Sequence, residues 1–229
     1  MFANKTVSTA MFIVMMFAAN SYAGEIWKIA SLDWQPYSGS DMATQGNSVQ
    51  KLRELLKKEG ITLEVVFFPW LRSKDMAKTK EYVGYFPAWP EEVEEGFVAS
   101  PPVDWSEIGI LKVSGNTIKY ENVDDLFKKF KVGIVRTYVY PEIINNAVKK
   151  YPENVDDAAD ELILMKKLSG GRDHVAITDP SVMLYSAGKE GINNIELVEI
   201  IMKKELVVAF RSEEDNKDRI NLLKKILSQ

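Results

Sequence analysis

The stretch from Ile26 to Arg72 constrains the fold most, because its hydrophobic period switches from strand to helix and back. In Ile26-Trp-Lys-Ile-Ala-Ser-Leu32, Ile26, Lys28, Ala30 and Leu32 share one face of an extended chain, while Trp27, Ile29 and Ser31 share the other. A run this apolar on both faces fits a strand covered on both sides. Asp33-Trp-Gln-Pro-Tyr-Ser-Gly-Ser40 ends it, since Pro36 and Gly39 interrupt pairing and leave Trp34 and Tyr37 at the strand's C-terminal end. Asn47-Ser48 reads as a helix cap, and Val49, Leu52, Leu55 and Leu56 keep helical spacing up to Gly60. Ile61 to Phe68 is the next strand, closed by Pro69-Trp70. A strand, crossover helix and strand of this length form a right-handed parallel unit. Ligands in open parallel sheets bind beyond the carboxyl ends of the strands, where the loops Trp34 to Tyr37 and Pro69 to Arg72 both fall.

Residues 1 to 23 read separately. Lys5 gives a positive start, Ala10 to Ala19 is a short apolar run, and Ser21-Tyr22-Ala23 offers small residues for cleavage after Ala23. These are the marks of a secretory signal, and the run is shorter than the roughly twenty residues a membrane span needs. There is no cysteine, so neither a disulfide nor a lipid-modified cysteine is available. The remaining 206 or so residues (229 less 23) suffice for one large domain or two lobes. With 29 basic and 33 acidic residues interspersed, net charge −4, the chain has no basic stripe for nucleic acid.

Further along, Ser73 to Glu81 has the propensity of a surface helix, and Tyr82 to Phe86 is a short strand broken by Pro87-Ala-Trp-Pro90. Ser106 to Val113 reads as an extended linker. Asn122 caps a helix from Val123 to Phe130, before a strand at Lys131 to Val135 and a helix at Pro141 to Tyr151. Asn154 is expected to cap an amphipathic helix from Val155 to Leu168. Val175 to Thr178 is a buried strand with Asp179 at its end, followed by a helix from Pro180 to Gly188. Ile195 to Ile201 and Lys204 to Arg211 read as two strands, and Ser212 as the cap of the last helix.

The loop Asp33-Trp-Gln-Pro-Tyr37, the helix after Gly46, Pro69-Trp-Leu-Arg72, Phe97-Val-Ala-Ser-Pro-Pro-Val103 and Gly171-Arg-Asp-His-Val-Ala-Ile-Thr-Asp-Pro180 together resemble the periplasmic solute-binding proteins of ABC importers, specifically the polar amino acid-binding family. The resemblance implies an α/β type 2 periplasmic-binding fold: two lobes, each a mostly parallel sheet flanked by helices, with a ligand cleft between them. Residues 24–112 would begin lobe 1, 113–204 would form lobe 2, and 205–229 would return to lobe 1. It also implies periplasmic binding of a small polar, amino acid-like solute by a monomer that docks transiently on an inner-membrane ABC permease. Two departures stand out. The family's carboxylate-gripping arginine after the third strand is missing from Ala88-Trp-Pro-Glu-Glu-Val93, and Thr137 replaces the glycine of the loop whose amides hold an anion.

Trp34, Tyr37, Trp70 and Trp89 are therefore candidate aromatic contacts, with sheet-edge or cleft-rim packing as the alternative. Arg72 and Arg136 are candidate carboxylate partners, and their alternative is a surface salt bridge. Tyr138 joins them from the second lobe. Asp179 would accept a ligand ammonium, as the resemblance implies, or would simply cap the helix after Pro180. His174 is the only histidine and has no nucleophile motif nearby, and Glu91-Glu92 and Glu94-Glu95 read as a solvated face without metal-ligand spacing. No enzyme activity, metal or cofactor is expected. The alternatives are a secreted enzyme resembling cyclohexadienyl dehydratase, or a sensing module that docks on a receptor.

Overall fold

The computed structural model describes residues 24–228, so the signal-peptide expectation lies outside the described residues. Strand β1 (Ile26–Ser31) pairs in parallel with β2 (Thr62–Phe67) and β3 (Gly84–Ala88), and α1 (Asn47–Lys58) crosses between β1 and β2. Further on, β6 (Val132–Val135) pairs in parallel with β7 (Val155–Ala158) and β8 (Val175–Thr178). Two long antiparallel strands, β5 (Asp104–Val113) and β9 (Ile195–Arg211), join the two halves. The sheet order is β2-β1-β3-β9-β5-β8-β6-β7, with β4 (Phe97–Ala99) also on β9. The C-terminal part of β9 pairs with β3 and β4, whereas its earlier residues pair with β5. The chain is thus two lobes hinged on a β5–β9 ribbon.

Helices α2 (Trp70–Ala77), α3 (Val123–Lys129), α4 (Glu142–Lys150), α5 (Glu161–Ser169), α6 (Pro180–Lys189) and α7 (Lys217–Leu227) complete the fold. In lobe 1 the fully buried Trp27 and Phe210 rings meet edge to face at 5.5 Å, locking β1 against the end of β9.

Several local expectations are corrected. The N-cap of α1 is Gly46, not Asn47 or Ser48. The helix's first N–H groups donate instead to the carbonyls of Pro36 and Tyr37, so the aromatic loop itself closes the helix start. Gly46 sits at φ 107°, and a Cβ there would fall 2.3 Å from the Tyr37 carbonyl, so only glycine permits that approach. Helix α2 begins at Trp70, three residues before the expected start at Ser73, because Pro69 already supplies the turn.

The expected helix from Val155 to Leu168 is in fact β7 followed by α5, whose cap is Asp160, its side chain accepting the Ile163 N–H at 2.8 Å. Parallel pairing of Val132 to Val155 and onward outweighs the helical spacing of Ala159, Leu162 and Met165. The two expected strands after Ile195 are one, bent by register shifts against β5. The last helix starts at Lys217, not after Ser212, because Asn216 spends its side chain on the carbonyls of Val83 and Arg211.

Asn122 does cap α3, accepting the Asp125 N–H at 3.0 Å. Asn122→Ala should lower unfolding free energy by about 1 kcal/mol in urea denaturation, and no loss would show that water satisfies the same N–H.

Candidate functional site

Because β1 and β2 run in parallel on one side of the ribbon and β6 and β7 on the other, four strand ends open on one space. It is a cleft of about 590 Å³ with walls from both lobes. Phe67, Phe68 and Leu71 line the lobe 1 side, and Thr137, Tyr138 and the run Ala159 to Leu162 line the lobe 2 side. At its base Trp34, Trp70, Trp89, Glu92 and Tyr138 close around only about 10 Å³ of free space.

Four of the aromatic candidates meet there. Trp34 packs on Tyr37 at 4.7 Å and edge-on to Trp89 at 5.9 Å, and Trp89 in turn meets Tyr138 at 5.3 Å across the lobes. The Trp70 N–H donates to Glu92 at 3.1 Å, and the Trp89 N–H donates to Ser106 Oγ at 2.9 Å. Tyr37 is buried behind Trp34, with its hydroxyl beside Asp179 and Ser181 of the other lobe. Burial and the neighbouring Asp179 charge raise its phenol.

The two arginine candidates lie elsewhere. Arg72 is exposed with its guanidinium over the Phe68 ring, 5.4 Å from the centroid. Arg136, also exposed, pairs with Asp157 at 2.7 Å. Neither lines the cleft. Asp179 is fully buried but occupied: Oδ1 accepts the Val182 N–H that caps α6, and Oδ2 accepts the Glu107 N–H of β5. Burial pushes its carboxyl up to about 6 against these hydrogen bonds. His174 accepts the Lys131 N–H through Nδ1 at 2.9 Å, on the edge-on face of Phe130.

Two carboxylates define the electrostatics: Glu92, which is buried and not on the solvated face expected for Glu91-Glu92, and Glu161, which the sequence did not single out. Glu92 is buried at the cleft base, where it accepts the N–H groups of the Trp70 side chain and the Trp89 backbone. The Val139 N–H of lobe 2 is also directed at it. Desolvation outweighs these donors and raises Glu92 to about 7. The loop that holds an anion in the resembling family therefore faces a carboxylate of this chain.

Glu161, 8% exposed, opens α5 on the cleft wall. Its Oε1 accepts from Tyr138 Oη at 3.0 Å and from Thr178 Oγ1, while Oε2 has no partner. Burial, with the charges of Asp179 and Asp160 added, pushes Glu161 up to about 8. The clue to Glu92 was its place just after Trp89 and Pro90, and the clue to Glu161 was the cap at Asp160.

No protein-family model matches the chain, and no curated protein sequence matches it significantly. Solved structures do. A histidine kinase sensor domain with similarity to periplasmic binding proteins superposes at TM-score 0.74 and 16% identity, covering 90% of each chain. An ancestral arginine-binding protein bound to arginine gives 0.71 and 16%, over 89% of this chain and 91% of that one. An ancestral amino acid-binding protein, precursor of cyclohexadienyl dehydratase, gives 0.67 and 19%, over 89% and 88%. The fold is the two-lobed type 2 periplasmic-binding architecture.

Proposed function

We propose that this chain is an extracytoplasmic solute-binding protein whose lobes close on one small polar solute and present it to an inner-membrane ABC permease. The observation that carries the reading is the cleft itself, which both lobes line at the carboxyl ends of their strands. The signal-like residues 1 to 23 support export, and among the described residues no helix is long and apolar enough to cross a membrane. A solute held by walls from both lobes stabilises the closed arrangement by its own contacts.

Ligand-stripped protein screened against a metabolite library should show a saturable rise in melting temperature. At 100 times the dissociation constant a ligand adds about 2.7 kcal/mol, or roughly 5 to 10 °C for a chain of this size. A library without any saturable shift would sink the reading.

Sensing is the second reading, suggested by the likeness to a histidine kinase sensor domain, which stands beside an equally well covered arginine-binding protein. Binding in the screen combined with normal uptake in a deletion strain would select it. Binding without chemistry is part of the proposal: among the described residues no lysine or arginine lines the cleft to hold a substrate such as prephenate. Release of phenylpyruvate from prephenate would overturn that part.

A further inference from the structure

We infer that the cleft takes an organic cation, a protonated amine with an apolar body, and not a zwitterionic amino acid. This deepens the solute-binding reading and rests on it. Among the described residues, the lining of the cleft and its base includes Asp33, Glu92, Asp160 and Glu161 and no lysine or arginine. The nearest buried cations are already engaged, Lys204 with Glu91 and Lys74 with Glu94. A ligand carboxylate would find no cation to pair with in this lining, whereas an ammonium would pair with Glu161 and displace the proton that burial keeps on it.

Two buried polar atoms on the walls independently ask for a guest. Oε2 of Glu161 has no hydrogen-bond partner, although the residue is more than nine-tenths buried and its other oxygen holds two donors. An ammonium is the complement of such an oxygen. The indole N–H of Trp34, 7% exposed, is likewise unpartnered and calls for a neutral acceptor on the same molecule. Around them stand aromatic faces suited to a cation and, toward the mouth, Phe67, Phe68 and Leu71 suited to an apolar body. Four of the loop amides that could favour an anion are engaged within the protein: Val135 donates to Tyr140 Oη, Arg136 to Ala158, Tyr138 to Val135, and Val139 faces Glu92, which leaves Thr137 outside this set.

The test uses matched sets in calorimetry on ligand-stripped, full-length mature protein. One set is tyramine, tyrosine and 4-hydroxyphenylacetate, and the other is agmatine, arginine and 4-guanidinobutanoate. The expected result is that an amine binds in at least one set, at least tenfold tighter than its amino acid and its acid. An amino acid or acid that binds as well as its amine, or a failure of both amines, overturns the inference. If the metabolite library still yields a ligand in that case, solute binding stands and only the cation assignment falls; if it yields none, both fall. Glu161→Gln, which keeps the shape and the bonds from Tyr138 and Thr178, should weaken amine binding at least tenfold with the melting transition intact. Unchanged affinity in that variant overturns the role of Glu161.

Discussion

Glu161→Gln is expected to be more stable than the native chain at pH 7, with the advantage small at pH 5 and gone below about pH 4. Burial raises the Glu161 carboxyl from its ordinary 4.5 to about 8, so the folded protein holds a proton there that the unfolded chain has released. Folding takes up that proton between pH 4.5 and 8, and across this window stability falls by about 1.36 kcal/mol per pH unit. Below 4.5 both states are protonated and nothing is lost. Glutamine resembles the protonated acid at every pH. The variant's advantage at pH 7 is therefore of order 3 kcal/mol (7 − 4.5 units), about 6 to 12 °C in melting temperature.

The groups facing Glu161 are the donors Tyr138 and Thr178 and the acids Asp160 and Asp179, all present in both proteins. Carboxylates held low by surface pairs, such as Asp41 with Lys189 and Asp124 with Lys150, act in a more acidic range and cancel in the comparison. Scanning calorimetry at pH 5 and pH 7 decides the matter. Equal melting temperatures at both values would mean that Glu161 is hydrated in solution. The same variant is expected to lose amine binding, so the acid whose protonation costs the fold stability is the one an ammonium guest would ionise and pair with.

How much of this was legible in the sequence depends on where each decision is made. Strand β8 falls on Val175 to Thr178 as read, because four apolar residues between a turn and a capping aspartate leave little alternative. The pair β1 and β2 with its crossover helix was equally clear, since the period changes within one unit. Strand β7 was not. Val-Asp-Asp-Ala carries two residues that disfavour strands, and it becomes one because β6 pairs with it while Lys167 and Arg172 hold Asp156. That pairing is tertiary, and no window of residues contains it.

The site follows the same division. Trp34, Trp70, Trp89 and Tyr138 could be placed by their positions after strands, and they line the cleft. Arg72 and Arg136 follow strands as well, yet they turn outward to Phe68 and Asp157. Side-chain direction at a strand end is set by the backbone one residue at a time. Glu92 looks like part of a solvated acidic run until the Trp70 and Trp89 donors are seen around it. Glu161 was hidden by the missed strand, since moving the helix start from Val155 to Glu161 carries that side chain to the cleft wall. Burial of a carboxylate is a property of the assembled fold, and composition is silent on it.

Trp89→Ala is expected to cost about 3 to 5 kcal/mol, measured as a shift of the urea midpoint. Trp89 is 2% exposed, and its neighbours arrive from separate elements: Trp34 after β1, Ser106 on β5, and Tyr138 and Tyr140 after β6. Each is fixed by its own backbone pairing, so the surroundings cannot collapse into the space that alanine leaves, and the cavity term persists. The truncation also strips Lys204 of the ring 5.8 Å from its ammonium and leaves the buried Ser106 hydroxyl without its donor.

Trp89→Phe separates these contributions. It keeps one ring in the contact across the lobes and removes the N–H with part of the indole, for an expected loss of about 1 to 3 kcal/mol. If alanine and phenylalanine cost the same, the features that only the indole supplies, its bond to Ser106 and its second ring, carry the effect. If alanine costs under about 1 kcal/mol, the aromatic cluster does not hold the lobes together, and exposed rim pairs such as Asp41 with Lys189 must do so instead.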